Sequence, residues 1–133
     1  MPIRPPSAAP ATERESAERG RHAERVVAAY LAERGFEIVA VNLRLQYLEL
    51  DVVARHGELV VVVEVRTRST TAWTSAFSSI DGRKRMRVRR AGERLWERRY
   101  RHDPSIKRMR FDAASVAFDA DGSPRVEYIA AAF

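Results

Sequence analysis

Four consecutive valines, Val60 to Val63, run straight into an acid, Glu64, and a fifth valine, Val65. Branching at Cβ stiffens χ1 and crowds a helical turn, so such a run suits a strand covered on both faces. That places the segment Glu58 to Thr67 inside a sheet with layers above and below it. The preceding stretch, Tyr47 to Ala54, alternates in character, and His56-Gly57 between the two supplies a tight turn. The pair is expected to form a β-hairpin.

The rest of the chain frames this hairpin. Residues 1–12 are rich in Pro and Ala without apolar periodicity and read as a flexible tail; residues 13–133 read as one domain. From Glu13 to Arg34 the residues Ala23, Val26, Val27, Tyr30 and Leu31 recur at helical spacing, and Gly35 ends the pattern as a helix stop. Phe36 to Leu43 predicts a strand. Residues 69–82, rich in Ser and Thr, read as a loop or short helix anchored by Trp73 and Phe77. Arg83 to Arg99 predicts a second helix, with Val88, Ala91, Leu95 and Trp96 on its apolar face. Strands at Arg108 to Phe118 and Arg125 to Ala131 follow, joined by a turn at Asp121-Gly122. The expected order is αβββαββ, an α/β fold with a mixed sheet flanked by helices.

Composition excludes several classes. The 133 residues contain no cysteine, which removes disulfides, thiolate catalysis and cysteine-ligated zinc. No apolar run is long enough to cross a bilayer and no charged-then-apolar leader opens the chain, so a cytoplasmic protein without membrane contact is expected. The net charge of +6 is unevenly spread: residues 83–110 hold thirteen Lys or Arg against Glu93, Glu97 and Asp103, a net of +10, leaving −4 for the remainder. His22, His56 and His102 are scattered and are not assigned to a metal.

The hairpin carries the chemistry. Glu49 and Asp51 share one face of their strand, as Glu64 and Arg66 do of theirs. If the turn pairs Arg55 with Glu58, Glu49 lies opposite Glu64 and Asp51 opposite Val62. Cross-strand neighbours are about 5 Å apart, so three carboxylates would converge on the space of one hydrated ion. Such a cluster is unfavourable unless a positive charge sits in it, and either Arg66 or a divalent cation would serve. Oxygen ligands alone select a hard ion, Mg²⁺ or Mn²⁺, which can polarise a phosphodiester. The same alternation also suits the solvated face of an ordinary hairpin, but the valines around Glu64 are an apolar setting for a solvated acid.

Asp51, a hairpin, then Glu64-Val65-Arg66 resembles the PD-(D/E)xK nuclease signature, and the element order resembles the restriction-endonuclease-like core. More closely, the chain is similar to the YraN family of small bacterial proteins over about Gly20 to Val116. The similarity includes Glu24, Ala28, Tyr30-Leu31 and Gly35-Phe36, then Asn42-Leu43-Arg44 and Leu48-Glu49-Leu50-Asp51-Val52-Val53-Ala54. It continues through Val61 to Arg68, Lys84 with Arg87, and Arg110-Phe111-Asp112. The resemblance implies that Glu24, Asp51 and Glu64 are metal ligands, that Asp51, Glu64 and Arg66 are the catalytic set, and that Glu49 lies at the site's edge. It departs from the family where Arg66 replaces the signature lysine, Leu48 a glycine, and Thr74 and Ser78 a loop Gly and Glu. Arg keeps the positive charge but does not release a proton at working pH.

Arg83, Arg87, Arg90, Arg94, Arg98 and Arg101 follow steps of three and four, which on one helix makes a single stripe about 27 Å long. With Lys84 they form an expected phosphate-binding face, for arginine pairs phosphate oxygens bidentately and counterion release favours binding. Glu93 and Glu97 can neutralise part of it by i,i+4 pairing. Trp73 and Trp96 are candidates for stacking on bases, with Trp96 also fitting the core. The expectation is a metal-dependent endonuclease acting on nucleic acid, DNA in preference to RNA. The alternatives are a catalytically silent nucleic-acid-binding module of the same fold and a protein-interaction domain. Pairing of two copies stays open.

Overall fold

The computed structural model describes residues 12–68 and 82–133. The tail before Thr12, the loop anchors Trp73 and Phe77, and the departures at Thr74 and Ser78 lie outside the described residues. Helix α1 (Glu13–Glu33) is followed by β1 (Glu37–Leu45), β2 (Leu48–His56) and β3 (Leu59–Arg68). Then come α2 (Gly82–Leu95), one π turn (Trp96–Tyr100), β4 (Arg108–Phe118) and β5 (Pro124–Ile129). Among the described residues the order matches the expected αβββαββ, with the π turn added after α2.

Thr12 belongs to the fold rather than to the tail. Its hydroxyl accepts from Glu15 N–H while the Glu15 side chain accepts from Thr12 N–H, a reciprocal cap on α1. At the other end Gly35 takes φ +89°, and the Phe36 and Gly35 amides donate back to the Leu31 and Ala32 carbonyls. This double bond pattern needs the left-handed position that glycine adopts without strain.

The five strands form one sheet in the order β1-β2-β3-β4-β5. All neighbours are antiparallel except β3 and β4, which run parallel, with α2 in the crossover between them. The valine run is central, as its covering on both faces requires. Val61 and Val63 pack with Ala23, Val27 and Leu31 of α1, whereas Val60 and Val62 pack with Val88, Ala91 and Leu95 of α2. One helix therefore covers each face, and Val60 to Val63 are all fully buried.

Two expectations are corrected. The hairpin turn is Gly57-Glu58, with φ +59° at Gly57 and His56 paired to Leu59, so the register is displaced by two residues from the Arg55–Glu58 pairing. Glycine at the first central position is what tight hairpin turns demand. The basic helix runs on past Leu95 as expected, but its last five residues, Trp96–Tyr100, form a π turn. The six arginines therefore do not share one uniform α-helical spacing, because Arg98 and Arg101 lie on or past the wider turn.

Gly92 sets how closely α2 approaches β4. A Cβ there would stand 2.6 Å from both Cε1 and Cζ of Phe111 and 3.3 Å from Met109 Sδ. The Phe111 ring is itself flanked by the Arg89 guanidinium, 5.1 Å from its centroid, and by the Phe133 ring at 5.8 Å. Gly92→Ala is expected to destabilise the fold by about 1–3 kcal/mol through overpacking, more than the ~1 kcal/mol gained in helix propensity. A lower urea midpoint at unchanged slope is the expected reading; a raised midpoint would show that the ring yields freely.

Candidate metal centre

The acids gather where the sheet's alternation fails. In β1 the register shifts between Ile38 and Ala40, and Asn42 takes φ +54° between the pairs Val41–Val52 and Leu43–Leu50. Across from that break, Leu50 and Val53 pack toward α2 while Val52 and Ala54 pack toward α1. Asp51 sits at the switch. Bulges and left-handed residues re-aim side chains in this way. The β2–β3 ladder has its last pair at Val52–Val63; beyond it the Val65 amide donates to Asp51 Oδ2 at 2.9 Å. Continuing the register sets Asp51 level with Glu64, not with Val62 as an Arg55–Glu58 pairing would require. The carboxylates converge at the open end of a ladder, with α1 and α2 reaching in from either side, instead of from one flat face.

Glu24 of α1, Glu49 and Asp51 each present a carboxylate oxygen within 4.8 Å of the other two. Glu49 is therefore part of the trio and not only its edge. Glu24 is nearly buried, and its Oε2 has no hydrogen-bond partner among the described residues. Glu64 is buried and its Oε1 meets Lys84 Nζ at 2.5 Å, with Arg66 Nε more distant at 3.9 Å. Burial, and next the charge of Glu64, push the Asp51 carboxyl up to about 8. The Glu24 carboxyl is also raised, chiefly by burial and then by Glu49. Like charges held out of water oppose ionisation, so the fold maintains a cluster that is unfavourable by itself.

A recess of about 330 Å³ opens on this cluster, lined by Tyr47, Leu48, Glu49, Asp51, Glu64, Lys84, Arg87 and Val88. The donor set is all carboxylate, with an orphaned oxygen aimed among neighbours of like charge. That fits a hard divalent cation and offers nothing to a soft one. Among the described residues no histidine joins the cluster: His22 stacks on Phe118 and His56 lies against Phe36.

The model described as "Uncharacterised protein family UPF0102" matches residues 23–116. The chain belongs to the UPF0102 family. This is the YraN family whose blocks the sequence resembles. A UPF0102 protein of Sorangium cellulosum is 54% identical over 114 residues, covering 86% of this chain and 79% of that protein. One from Parafrankia sp. is 43% identical over the same share of this chain and 94% of its own length. One from Pseudomonas aeruginosa is 37% identical over 124 residues, covering 92% and 98%.

Within this UPF0102 chain the predicted phosphate-binding residues divide. Lys84 and Arg87 line the acid recess, while Arg90, Arg94 and Arg98 line a neighbouring groove with Gln46, Glu93 and Glu97. Arg83 is exposed, and Arg101, past the π turn, pairs with Glu97 at 2.8 Å. Trp96 is half-buried against the α2-side core. The ammonium at Glu64 was missed as a member of the acid site. Lys84 counts as one more cation of a basic helix in the sequence, and only the crossover places the start of that helix over the end of β3.

Proposed function

We propose that this UPF0102 protein is a metal-dependent endonuclease that hydrolyses nucleic-acid phosphodiesters, with Mg²⁺ or Mn²⁺ held by Glu24, Glu49, Asp51 and Glu64. The observation that carries the reading is the carboxylate trio at the open end of β2 and β3, with its orphaned Glu24 oxygen and two cations of α2 beside it. A bound divalent ion would supply Lewis-acid polarisation of the phosphate and a water of lowered pKa. The chain's own residues do the rest. Arg87, exposed at the rim of the recess, receives a phosphate oxygen. Lys84 takes the place of the signature lysine: it stands at Glu64 from a different element and steadies negative charge that develops on the phosphoryl oxygens. Arg66 contributes charge but, in its permanently protonated form, no proton transfer.

The reading is tested by incubating purified protein with labelled branched, single-stranded and duplex DNA, with Mn²⁺ or EDTA, beside Asp51→Ala. Cutting that needs Mn²⁺ and disappears in Asp51→Ala is the expected result. Salt-sensitive binding without cutting under either condition would sink the catalytic reading and leave the silent binding module, a reading that the direct Glu64–Lys84 ion pair also suits. Neither binding nor metal uptake would leave only a protein-interaction role.

A further inference from the structure

We propose that Tyr47 is a stacking platform for an unpaired nucleobase and confines the acid recess to single-stranded stretches of nucleic acid; the inference rests on the nuclease reading above. Tyr47 sits in the turn between β1 and β2, next to Gln46 at φ +61°. It is 87% exposed, against 55% or less for the other exposed large hydrophobics among the described residues. Turn tips are ordinarily polar, and among the described residues neither core cluster uses this ring.

Its position gives the ring a task. Tyr47 lines the acid recess, whereas its neighbour Gln46 lines the basic groove of Arg90, Arg94 and Arg98. The Arg94 guanidinium donates to Gln46 Oε1 at 2.5 Å, which ties the turn to α2. The turn is therefore a fixed ridge between the two depressions. Glu93 and Glu97 also line the groove, and Glu97 is neutralised by Arg101. Along α2 the cations pass from the recess (Lys84, Arg87) to the groove (Arg90, Arg94) at about 1.5 Å of rise per residue. A phosphate backbone that follows them from groove to recess must cross the ridge, and the base it carries there meets the Tyr47 ring. Stacking on an aromatic ring needs a base with a free face, which a continuous duplex withholds and a single strand supplies. Every base has a π face, so the platform selects strandedness and not sequence. The hydroxyl plays no part, and phenylalanine should serve as well.

The test uses the full chain with Ca²⁺ and a single-stranded DNA oligonucleotide carrying one 2-aminopurine, whose fluorescence is quenched on stacking. A blunt duplex of the same sequence is run in parallel. Tyr47→Ala is expected to weaken single-strand binding about tenfold and to lose the quenching, with duplex binding unchanged. Tyr47→Phe should keep both. The pair Arg90→Ala/Arg98→Ala should weaken single strand and duplex alike. If Tyr47→Ala binds and quenches like the parent while the arginine variant loses affinity, the platform is overturned and the nucleic-acid reading stands. Equal affinity of the parent for single strand and duplex overturns the platform in the same way. If the parent binds neither at low salt, both readings fall.

Discussion

Asp112→Ala is expected to lower the stability of the protein by about 3–5 kcal/mol, the range for removing one partner of a buried, hydrogen-bonded charge pair. Asp112 is fully buried on the α1 side of β4 and fills its acceptor sites from three directions. Arg110 grips it bidentately, Nε to Oδ1 at 2.8 Å and Nη2 to Oδ2 at 2.9 Å. The Tyr128 hydroxyl of β5 donates to Oδ2, and the Ala131 amide donates to Oδ1 at 2.8 Å. Tyr128 stacks on Tyr30 of α1, which in turn lies under the Arg34 guanidinium. One carboxylate thus ties β4, β5, the chain beyond β5 and α1 together. Burial and the Asp112 contact together raise the Tyr128 hydroxyl's pKa, and the Arg110 guanidinium is raised by its bond to Asp112. Removing the acid strands a partly buried guanidinium, a phenol and a backbone amide at once. Asp112→Asn, which keeps an acceptor but loses the charge, should fall between the two. Urea unfolding checks this, and a loss below about 1 kcal/mol for Asp112→Ala would mean that water replaces the clamp with little penalty.

The clamp also explains why some of the molecule was legible and some was not. Arg110-Phe111-Asp112 stands out in the sequence only as one block of a family resemblance. Its partners, Tyr128 and the Ala131 amide, lie sixteen and nineteen residues away and meet it only once β5 folds back. By contrast, everything governed by local periodicity could be read directly: the apolar stripe of α1, the central valine strand, and β4, whose expected and observed bounds coincide. The hairpin register was displaced by two because the turn begins one residue later, at Gly57. An even displacement still sets an acid of β2 level with Glu64, now Asp51 in place of Glu49, whereas a displacement of one would have turned the two strands' acids to opposite faces. The break in alternation at Asp51 had no such warning. It depends on Asn42 adopting a left-handed conformation within β1, and a single asparagine in a strand pattern signals that only weakly. The meeting of Lys84 with Glu64 is equally without local warning, because it joins α2 to β3 across the sheet.

Asp51→Asn is expected to make the metal-free protein more stable at pH 8 by a few kcal/mol while removing its response to Mn²⁺. The sign follows from linkage. Asp51 titrates at about 8 in the folded protein, far above the usual carboxyl value near 4 in an unfolded chain. Between those values the folded state holds a proton that the unfolded state has released, so stability falls as pH rises from about 4 to 8. At about 1.4 kcal/mol per unit the full penalty is on the order of 5 kcal/mol, reached as the pH passes the folded value. Facing Asp51 are Glu24 from α1, Glu49 on its own strand and Glu64 from β3, while the Val65 amide favours its charged form and Lys84 and Arg87 of α2 line the same recess. Asparagine has nearly the same shape, can still accept from the Val65 amide, and carries no charge to bury. Its advantage should therefore vanish near pH 4 and grow steadily toward pH 8 in melts with EDTA. Adding Mn²⁺ narrows the gap: at a hundredfold excess over its Kd a bound ion adds about 2.7 kcal/mol to the parent and nothing to the variant. An Asp51→Asn protein that melts below the parent at pH 8 without metal would show that the carboxylate holds the strand end together by its charge. Stabilisation without any loss of the Mn²⁺ response would instead take Asp51 out of the ligand set and leave the ion to Glu24, Glu49 and Glu64.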